Sequence, residues 1–159
     1  MENRNQLSPT RQKRPALGFS SDNIAGASPE VIEAIVASNV GQAAGYGADD
    51  VTARVERKFS ELFEREVAVL LVPTGTAANA LCLAALTPVC GSVLCHPDSH
   101  VNNDECGAPE FFTGAAKLVP VDGASAKIDL EALRVAARAK AGDVHSVQPS
   151  CVSVTQATE

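Results

Sequence analysis

Apolar segments of strand length alternate with amphipathic segments of helix length along this chain, and this alternation restricts the possible folds more than any other feature. The first strand is predicted at residues 67–72, where the sequence VAVLLV is apolar at every position. An unbroken apolar run of this length is typical of a strand buried on both faces in a parallel sheet. Further strands are predicted at residues 92–95, 117–121 and 151–155. The helices between them indicate βαβ units with right-handed crossovers, and therefore an α/β fold with a mainly parallel sheet.

Helices are indicated by capping residues and by apolar positions that recur about every 3.6 residues. Ser28 precedes the first helix, which is followed by a glycine-rich loop that contains Tyr46. A second helix begins at Asp49 or Asp50. Later helices are predicted at residues 77–86, at residues 103–112 and after a cap at Asp129.

The composition argues against several classes of function. Hydrophobic residues make up 45% and charged residues 20% of the chain, as in an ordinary globular protein. The formal charge is −6 and the basic residues form no stripe, so nucleic acid is not an expected partner. The apolar runs are far shorter than the ~20 residues that cross a bilayer, so no membrane partner is expected either.

The cysteines and the chain ends bear on location and domain organisation. Five cysteines without CxxC spacing leave one unpaired in any disulfide scheme, which favours a cytoplasmic location. The polar start lacks the apolar core of a secretory signal, and we expect residues 1–18 to be a flexible arm. Residues 19–48 are expected to carry the first helix and the glycine-rich loop, and residues 49–159 a partial large domain. Because the chain stops soon after its last predicted strand, we expect it to be the front part of a longer protein.

A turn of small residues, PTGTAAN at residues 73–79, joins the first predicted strand to a helix. Free N–H groups at a helix start, the positive end of the helix dipole and the hydroxyls of Thr74 and Thr76 could together hold an anion. Gly75 and Ala77 would let that anion approach closely. An ordinary strand-to-helix connection with a threonine cap is the alternative, and the turn lacks the Gly-Lys-Ser/Thr of a Walker loop.

Two histidines follow the next predicted strand, in the sequence CHPDSH at residues 95–100. They lie at the same edge of the predicted sheet as the turn, where an imidazole could pack flat against a cofactor. His96 and His100 are four apart, so a zinc site must be weighed, but Pro97 breaks the helix that would align them and we expect no metal. Loop histidines hydrogen-bonded to the backbone are the alternative.

The segment at residues 102–112, NNDECGAPEFF, has ordinary structural explanations. Asp104 and Glu105 are typical partners of a helix dipole and, being adjacent, point to different sides of a helix. Phe111 and Phe112 are expected in the core, and Cys106 is expected to be a small buried thiol.

Five segments in order closely resemble low-specificity threonine aldolases of the β-eliminating lyase group, which are fold-type-I pyridoxal-phosphate enzymes. They are FSSDNIAGASPEV (19–31), GYGADD (45–50), PTGTAAN (73–79), DSHVNNDECGAPEFF (98–112) and SVTQATE (153–159). The resemblance implies a truncated three-layer α/β domain, pyridoxal 5'-phosphate as the cofactor and a small amino acid as the substrate. It implies cleavage of threonine or a related β-hydroxy-α-amino acid to glycine and an aldehyde.

The resemblance also implies roles for individual residues. Thr74, Gly75, Thr76 and Ala77 stand where the family binds the cofactor phosphate, and His100 stands where the family stacks an imidazole on the cofactor ring. Stacking fixes the ring plane, and therefore which substrate bond lies perpendicular to it.

Substrate contacts and assembly follow from the same resemblance. Ser21 stands where the family contacts the substrate carboxylate. Tyr46 and its loop match a segment that approaches the active site, often that of a neighbouring subunit, which implies a homo-oligomer (dimer or tetramer). Many members have a histidine near the position of Glu159, which handles the β-hydroxyl. A buried glutamate could accept that proton instead.

The chain departs from the family in one further respect. None of its lysines matches the segment that binds the cofactor covalently; they are Lys13, Lys58, Lys117, Lys127 and Lys140. The chain alone is therefore expected to be inactive. Two alternatives stay open: another pyridoxal-phosphate lyase or a transaminase, and a non-catalytic α/β binding module.

Overall fold

A computed structural model describes residues 24–157, which form two compact units that divide between Val67 and Ala68. The predicted arm at residues 1–18, Ser21 and Glu159 lie outside the described residues. The domain boundaries predicted from the sequence stay a prediction. Within residues 24–157 no helix is long and apolar enough to cross a membrane.

The first unit contains the helices α1 (Pro29–Ser38) and α2 (Asp50–Leu62). Both begin where capping chemistry predicts, because a side-chain oxygen satisfies N–H groups that the first turn of a helix leaves unbonded. Ser28 caps α1 by accepting from Val31 N at 3.4 Å. The Asp49 carboxylate caps α2 by accepting from Val51 N and Thr52 N, each at 2.9 Å.

The strand predicted at residues 67–72 is wrong, because no strand forms there. Leu70 and Leu71 are 88% and 76% exposed, where burial on both faces was expected. A strand needs a hydrogen-bonded neighbour, and no described strand pairs with this segment. An apolar run shows that a segment favours burial, but it does not show whether a neighbouring strand is present.

The second unit alternates helices and strands, as predicted. Its elements are α3 (Gly75–Leu86), β1 (Gly91–Cys95), α4 (His100–Asn103), α5 (Ala108–Phe112), β2 (Lys117–Pro120), a 3₁₀ turn (Ala124–Ala126), α6 (Leu130–Arg138) and β3 (Gln148–Val152). The Asp129 cap predicted for the last helix is confirmed, since its carboxylate accepts from Ala132 N at 2.8 Å. The last strand begins three residues earlier than predicted, and α3 begins at Gly75, two residues earlier than predicted.

The sheet has the strand order β2-β1-β3, and both pairings are parallel, which confirms the predicted α/β class. β1 is central and buried along its whole length. Its Val93 pairs with Leu118 of β2 and with Cys151 of β3. The register of β3 shifts just after Pro149, which has no N–H to donate to a neighbouring strand.

Helices cover both faces of the sheet, which makes three layers. On one face Val93 and Cys95 of β1 pack in a buried cluster with Leu83 of α3. On the other face Ser92 and Leu94 of β1, together with Ala136 of α6, line a cavity of about 410 Å³. Successive strand side chains point to opposite faces, so β1 packs against both helix layers at once.

The single helix predicted at residues 103–112 is wrong in detail, since two short helices, α4 and α5, take its place. Cys106 and Gly107 lie between them with φ of 52° and 75°, a left-handed conformation that ends a helix. Cys106 is exposed rather than buried, and Phe111 and Phe112 are exposed and packed edge to face on each other. With two short helices in place of one long one, the apolar periodicity no longer predicts which side chains are buried.

Candidate active site

The turn before α3 is organised by Thr74. Its backbone is extended, and its Oγ1 accepts a hydrogen bond from Ala77 N at 3.1 Å. The cap occupies the N–H of Ala77 but leaves those of Gly75 and Thr76 unbonded within the described residues. The hydroxyl proton of Thr74 also remains available, because the cap uses the oxygen only as an acceptor.

The surroundings of this turn suit a negative charge. A Cβ placed on Gly75 would meet no atom within 4 Å, so space is open beside the helix start. The first turn of α3 contains no acidic residue that would repel an anion. The N–H groups and the helix dipole therefore face an uncrowded position where a phosphate-sized anion fits.

His96 follows β1 and has a structural role. Its Nε2 donates to the carbonyl oxygen of Gly123 at 3.2 Å, and its Nδ1 accepts from Asp98 N at 3.1 Å. The ring is buried, and both of its nitrogens are hydrogen-bonded to backbone atoms. His96 is therefore a structural histidine bonded to the backbone, one of the two possibilities that the sequence left open. Within residues 24–157 no group of three or more His, Cys, Asp or Glu could hold a metal ion.

Cys95, at the carboxyl end of β1, is not poised for reaction. Burial raises the pKa of its thiol, an effect larger than the opposing one of the Ser99 hydroxyl beside it. A nucleophilic or metal-binding cysteine needs the thiolate, and burial disfavours that form. Cys95 therefore serves the core.

His100 opens α4, and Glu105 contacts its ring. Nδ1 lies 2.9 Å from Oε1 of Glu105, and the His100 side chain is 38% exposed. The loop beneath it is fixed by Asn102 and Asn103, whose side-chain amides donate to the carbonyl oxygen of Pro97 at 2.9 and 2.7 Å. His100 is thus an oriented imidazole that is open to the outside.

Glu105 connects the imidazole to the helix of the anion turn. Its side chain is completely buried, and its Oε1 also accepts from Nδ2 of Asn79 at 2.5 Å. Asn79 lies in α3 about one turn after Gly75. The structure therefore brings the first half of α3 and His100 together around one carboxylate oxygen.

Sequence reasoning missed both Asn79 and Glu105. It treated Glu105 as a dipole partner on a continuous helix, where adjacent acidic residues point to different sides. The chain instead breaks at Asp104–Gly107, which turns the Glu105 side chain back towards His100. The glycine at position 107 was the available indication of that break.

The remaining predicted site residues lie elsewhere. Tyr46 belongs to the first unit, where it is fully exposed in a turn with φ of 61°. Ser21 and Glu159 lie outside the described residues, so no geometry bears on them.

Comparison with known proteins identifies relatives along most of the chain. A family model described as Beta-eliminating lyase matches residues 18–159. The low specificity L-threonine aldolase of Pseudomonas aeruginosa is 43% identical over 141 residues, which cover 89% of this chain and 40% of that protein. A protein of the same name from a Pseudomonas species is 41% identical, with the same coverage. The alanine racemase TOXG of Cochliobolus carbonum is 33% identical over 142 residues, covering 86% of this chain and 34% of that protein.

A solved structure shows the same fold. The Leishmania major threonine aldolase matches with a TM-score of 0.78 at 26% identity, over 86% of this chain and 39% of that chain. The present chain therefore spans about 40% of the length of the curated threonine aldolases that it matches.

Proposed function

The chain belongs to the beta-eliminating lyase family, and we propose that it is part of a pyridoxal-phosphate-dependent aldolase that cleaves threonine and related β-hydroxy-α-amino acids. Two relatives named L-threonine aldolase, at 43% and 41% identity, support this activity. The observation that carries it is the convergence of the anion turn of α3 and the His100 imidazole on the Glu105 carboxylate.

The described residues fit pyridoxal phosphate. Its phosphate would take hydrogen bonds from the N–H groups of Gly75 and Thr76 and from the hydroxyl of Thr74, in the open space beside Gly75. The small side chain of Ala77 leaves that approach clear, while its N–H is already used by the cap. When bound, the cofactor supplies an electron sink for the bond that breaks.

His100 provides the flat surface against which the cofactor ring would pack. Glu105 holds Nδ1, so the imidazole plane is defined before any ligand arrives. A ring plane fixed in this way selects which substrate bond is broken, because only a bond perpendicular to the ring can pass its electrons into it. The exposed part of the His100 side chain is the part available for this contact.

Three further residues complete the proposal through the family resemblance. Ser21 would donate a hydrogen bond to the substrate carboxylate. Glu159 would accept the proton of the β-hydroxyl as the bond between Cα and Cβ breaks, giving an aldehyde and, after Cα gains a proton, glycine. Tyr46 would reach the active site of a neighbouring subunit in a homo-oligomer. A cytoplasmic location is consistent with the five free cysteines.

Racemisation of alanine on the same cofactor is a second candidate reaction, supported by one of the relatives. This relative is the alanine racemase TOXG, to which the chain is 33% identical over 142 residues. The anion turn and His100 would serve either reaction, since both need the phosphate and the ring held in place. The two reactions differ in the bond that breaks, which is the Cα–Cβ bond in aldol cleavage and the Cα–H bond in racemisation.

Absorbance and product analysis test the proposal. The complete natural protein that contains this chain is expressed with pyridoxal phosphate and scanned for the absorption band of lysine-bound cofactor. It is then given L-threonine and L-alanine in separate reactions. Glycine and an aldehyde from threonine support the aldolase, whereas D-alanine alone supports the racemase. A protein with no such band is a non-catalytic α/β binding module, and the proposal fails.

A further inference from the structure

We infer that Glu105 is a positioning residue, whose buried carboxylate sets the orientation and the Nδ1 proton of the His100 ring and fastens that ring to α3 through Asn79. The inference rests on the proposed function only in naming pyridoxal phosphate as the molecule that the ring meets. The hydrogen bonds that carry it are those of the protein alone.

Burial makes this carboxylate dependent on its partners. The Glu105 side chain is completely buried, whereas the His100 side chain is 38% exposed. A buried carboxylate is costly unless donors compensate for the lost water, and within the described residues its donors are Asn79 and His100. The partly exposed ring is thus hydrogen-bonded to a carboxylate that lies out of contact with water.

The chemistry of the three groups determines where the proton lies. Nδ2 of Asn79 can only donate, so it directs its hydrogen at Oε1 of Glu105. Because Oε1 already accepts from Asn79, it acts as an acceptor towards its second partner as well. Nδ1 of His100 must then carry the hydrogen at 2.9 Å, which fixes the ring state as well as the ring plane.

The backbone on either side keeps Glu105 in place. Asn102 and Asn103 anchor α4 to the carbonyl oxygen of Pro97, and Cys106 and Gly107 adopt a left-handed conformation between α4 and α5. Asn79 lies in the same helix as the anion turn, one turn further along. A single carboxylate therefore couples the group that would bind the phosphate to the group that would bind the ring.

The second oxygen of Glu105 makes a precise substitution possible. Oε2 is buried and has no hydrogen-bond partner within the described residues. Glu105→Gln can therefore keep Oε1 as the acceptor of both bonds and place its amide nitrogen at the unbonded position. This variant removes the charge and keeps the shape, while Glu105→Asp keeps the charge and shortens the reach by one methylene.

The test is carried out on the complete natural protein and needs no cofactor for its first measurement. Nitrogen-15 NMR of the His100 ring reports which nitrogen carries hydrogen. We expect a proton on Nδ1 in the wild type, in Glu105→Asp and in Glu105→Gln, whose amide oxygen also only accepts, and a mixture of ring states in Glu105→Leu, which removes both side-chain oxygens. The second measurement is the pyridoxal phosphate dissociation constant, expected to rise about tenfold in Glu105→Gln because one charge-assisted hydrogen bond is weakened.

Two further variants separate positioning from general destabilisation. Asn79→Ala should weaken cofactor retention and lower the fraction of His100 rings protonated on Nδ1. Asp143→Asn removes a carboxylate that bonds His145 N and Ser146, and it should change neither measurement. An unchanged His100 ring state in folded Glu105→Leu overturns the inference. If Glu105→Leu does not fold, a mixture of ring states in Glu105→Asp overturns it.

The outcomes also distinguish this inference from the proposed function. A wild type that never binds pyridoxal phosphate, but whose His100 ring state depends on Glu105, disproves the function and leaves the inference standing. A wild type that binds the cofactor and cleaves threonine, with a ring state that does not depend on Glu105, does the reverse.

Discussion

Nδ1 of His100 lies 2.9 Å from Oε1 of Glu105, so an open imidazole is tied to a carboxylate that the fold keeps out of water. α4 ends at Asn103, so His100 and Glu105 do not lie on one continuous helix. This break in the helix lets their side chains meet. A site that must present a flat ring in one orientation gains from such a partner, because a hydrogen bond to a buried group restricts the rotation of a partly exposed side chain.

Removing the imidazole should weaken both cofactor retention and turnover. We expect His100→Ala in the complete protein to raise the pyridoxal phosphate dissociation constant about tenfold or more, since aromatic stacking is worth roughly 1–3 kcal/mol. Aldehyde release from threonine should fall with it. Dialysis followed by absorbance measures the first effect and a coupled aldehyde assay the second.

His145→Ala is the control for that substitution, because His145 is exposed near the start of β3. Turnover by His100→Ala at the wild-type rate, with cofactor retained, would refute the stacking role.

Local chemistry is what the sequence predicts well. The caps at Ser28, Asp49, Thr74 and Asp129 involve side chains and N–H groups two or three residues apart, so their spacing alone identifies them. The helices that follow these caps were placed to within about two residues. The prediction of the central strand β1 is also confirmed, because in the folded chain β1 has a paired strand on each side.

Contacts between distant segments are what the sequence does not contain. Asn79 and Glu105 belong to different helices, and only the folded chain brings them within a hydrogen bond. The strand predicted at residues 67–72 is wrong for a related reason, since strand pairing depends on a partner segment that periodicity does not reveal. Phe111 was assigned to the core by residue type, but the helix break presents it to the surface.

Gly123 should not tolerate a side chain. A Cβ there would lie 1.7 Å from the carbonyl oxygen of Lys127 and 2.6 Å from Asp129 N, both backbone atoms that cannot rotate away. Gly123→Ala must therefore shift the carbonyl that accepts from His96. We expect a loss of about 1–3 kcal/mol in the free energy of unfolding, measured by urea denaturation. Gly26→Ala is the matched control, since a Cβ at Gly26 meets no atom within 4 Å; equal losses in both variants would contradict the close approach.

The cap of α2 should depend on pH. Two hydrogen bonds from Thr52 lower the pKa of Asp49 in the folded chain, and the one from the backbone N–H has a larger effect than the one from the side chain. Because the folded pKa lies below the unfolded one, the stabilisation is complete above the ordinary carboxyl pKa of about 4 and is lost as pH falls through the lower, folded value. Amide hydrogen exchange of Val51 and Thr52 should accelerate in that acidic window relative to its usual pH dependence. In Asp49→Asn, which keeps an acceptor that does not titrate, this extra acceleration should disappear; its persistence would assign the effect to another group.

Thr74 should combine two roles that substitutions can separate. Its Oγ1 caps α3, and its hydroxyl proton is left to donate to a phosphate. Thr74→Ala should lower the free energy of unfolding by about 1 kcal/mol through loss of the cap, and it should also weaken binding of pyridoxal phosphate. Thr74→Ser keeps the hydroxyl and should preserve both properties.

Ser28→Ala is the control that isolates the second role, because Ser28 caps α1 with the same kind of hydrogen bond to Val31 N. Both alanine variants lose a cap, so both should be less stable by a similar amount. Only Thr74→Ala should raise the dissociation constant of the cofactor, since the proposed phosphate site lies at the start of α3 beside Gly75, whereas Ser28 caps α1. Equal cofactor affinity in the two variants would mean that Thr74 is a helix cap alone, and that the phosphate is held by other groups.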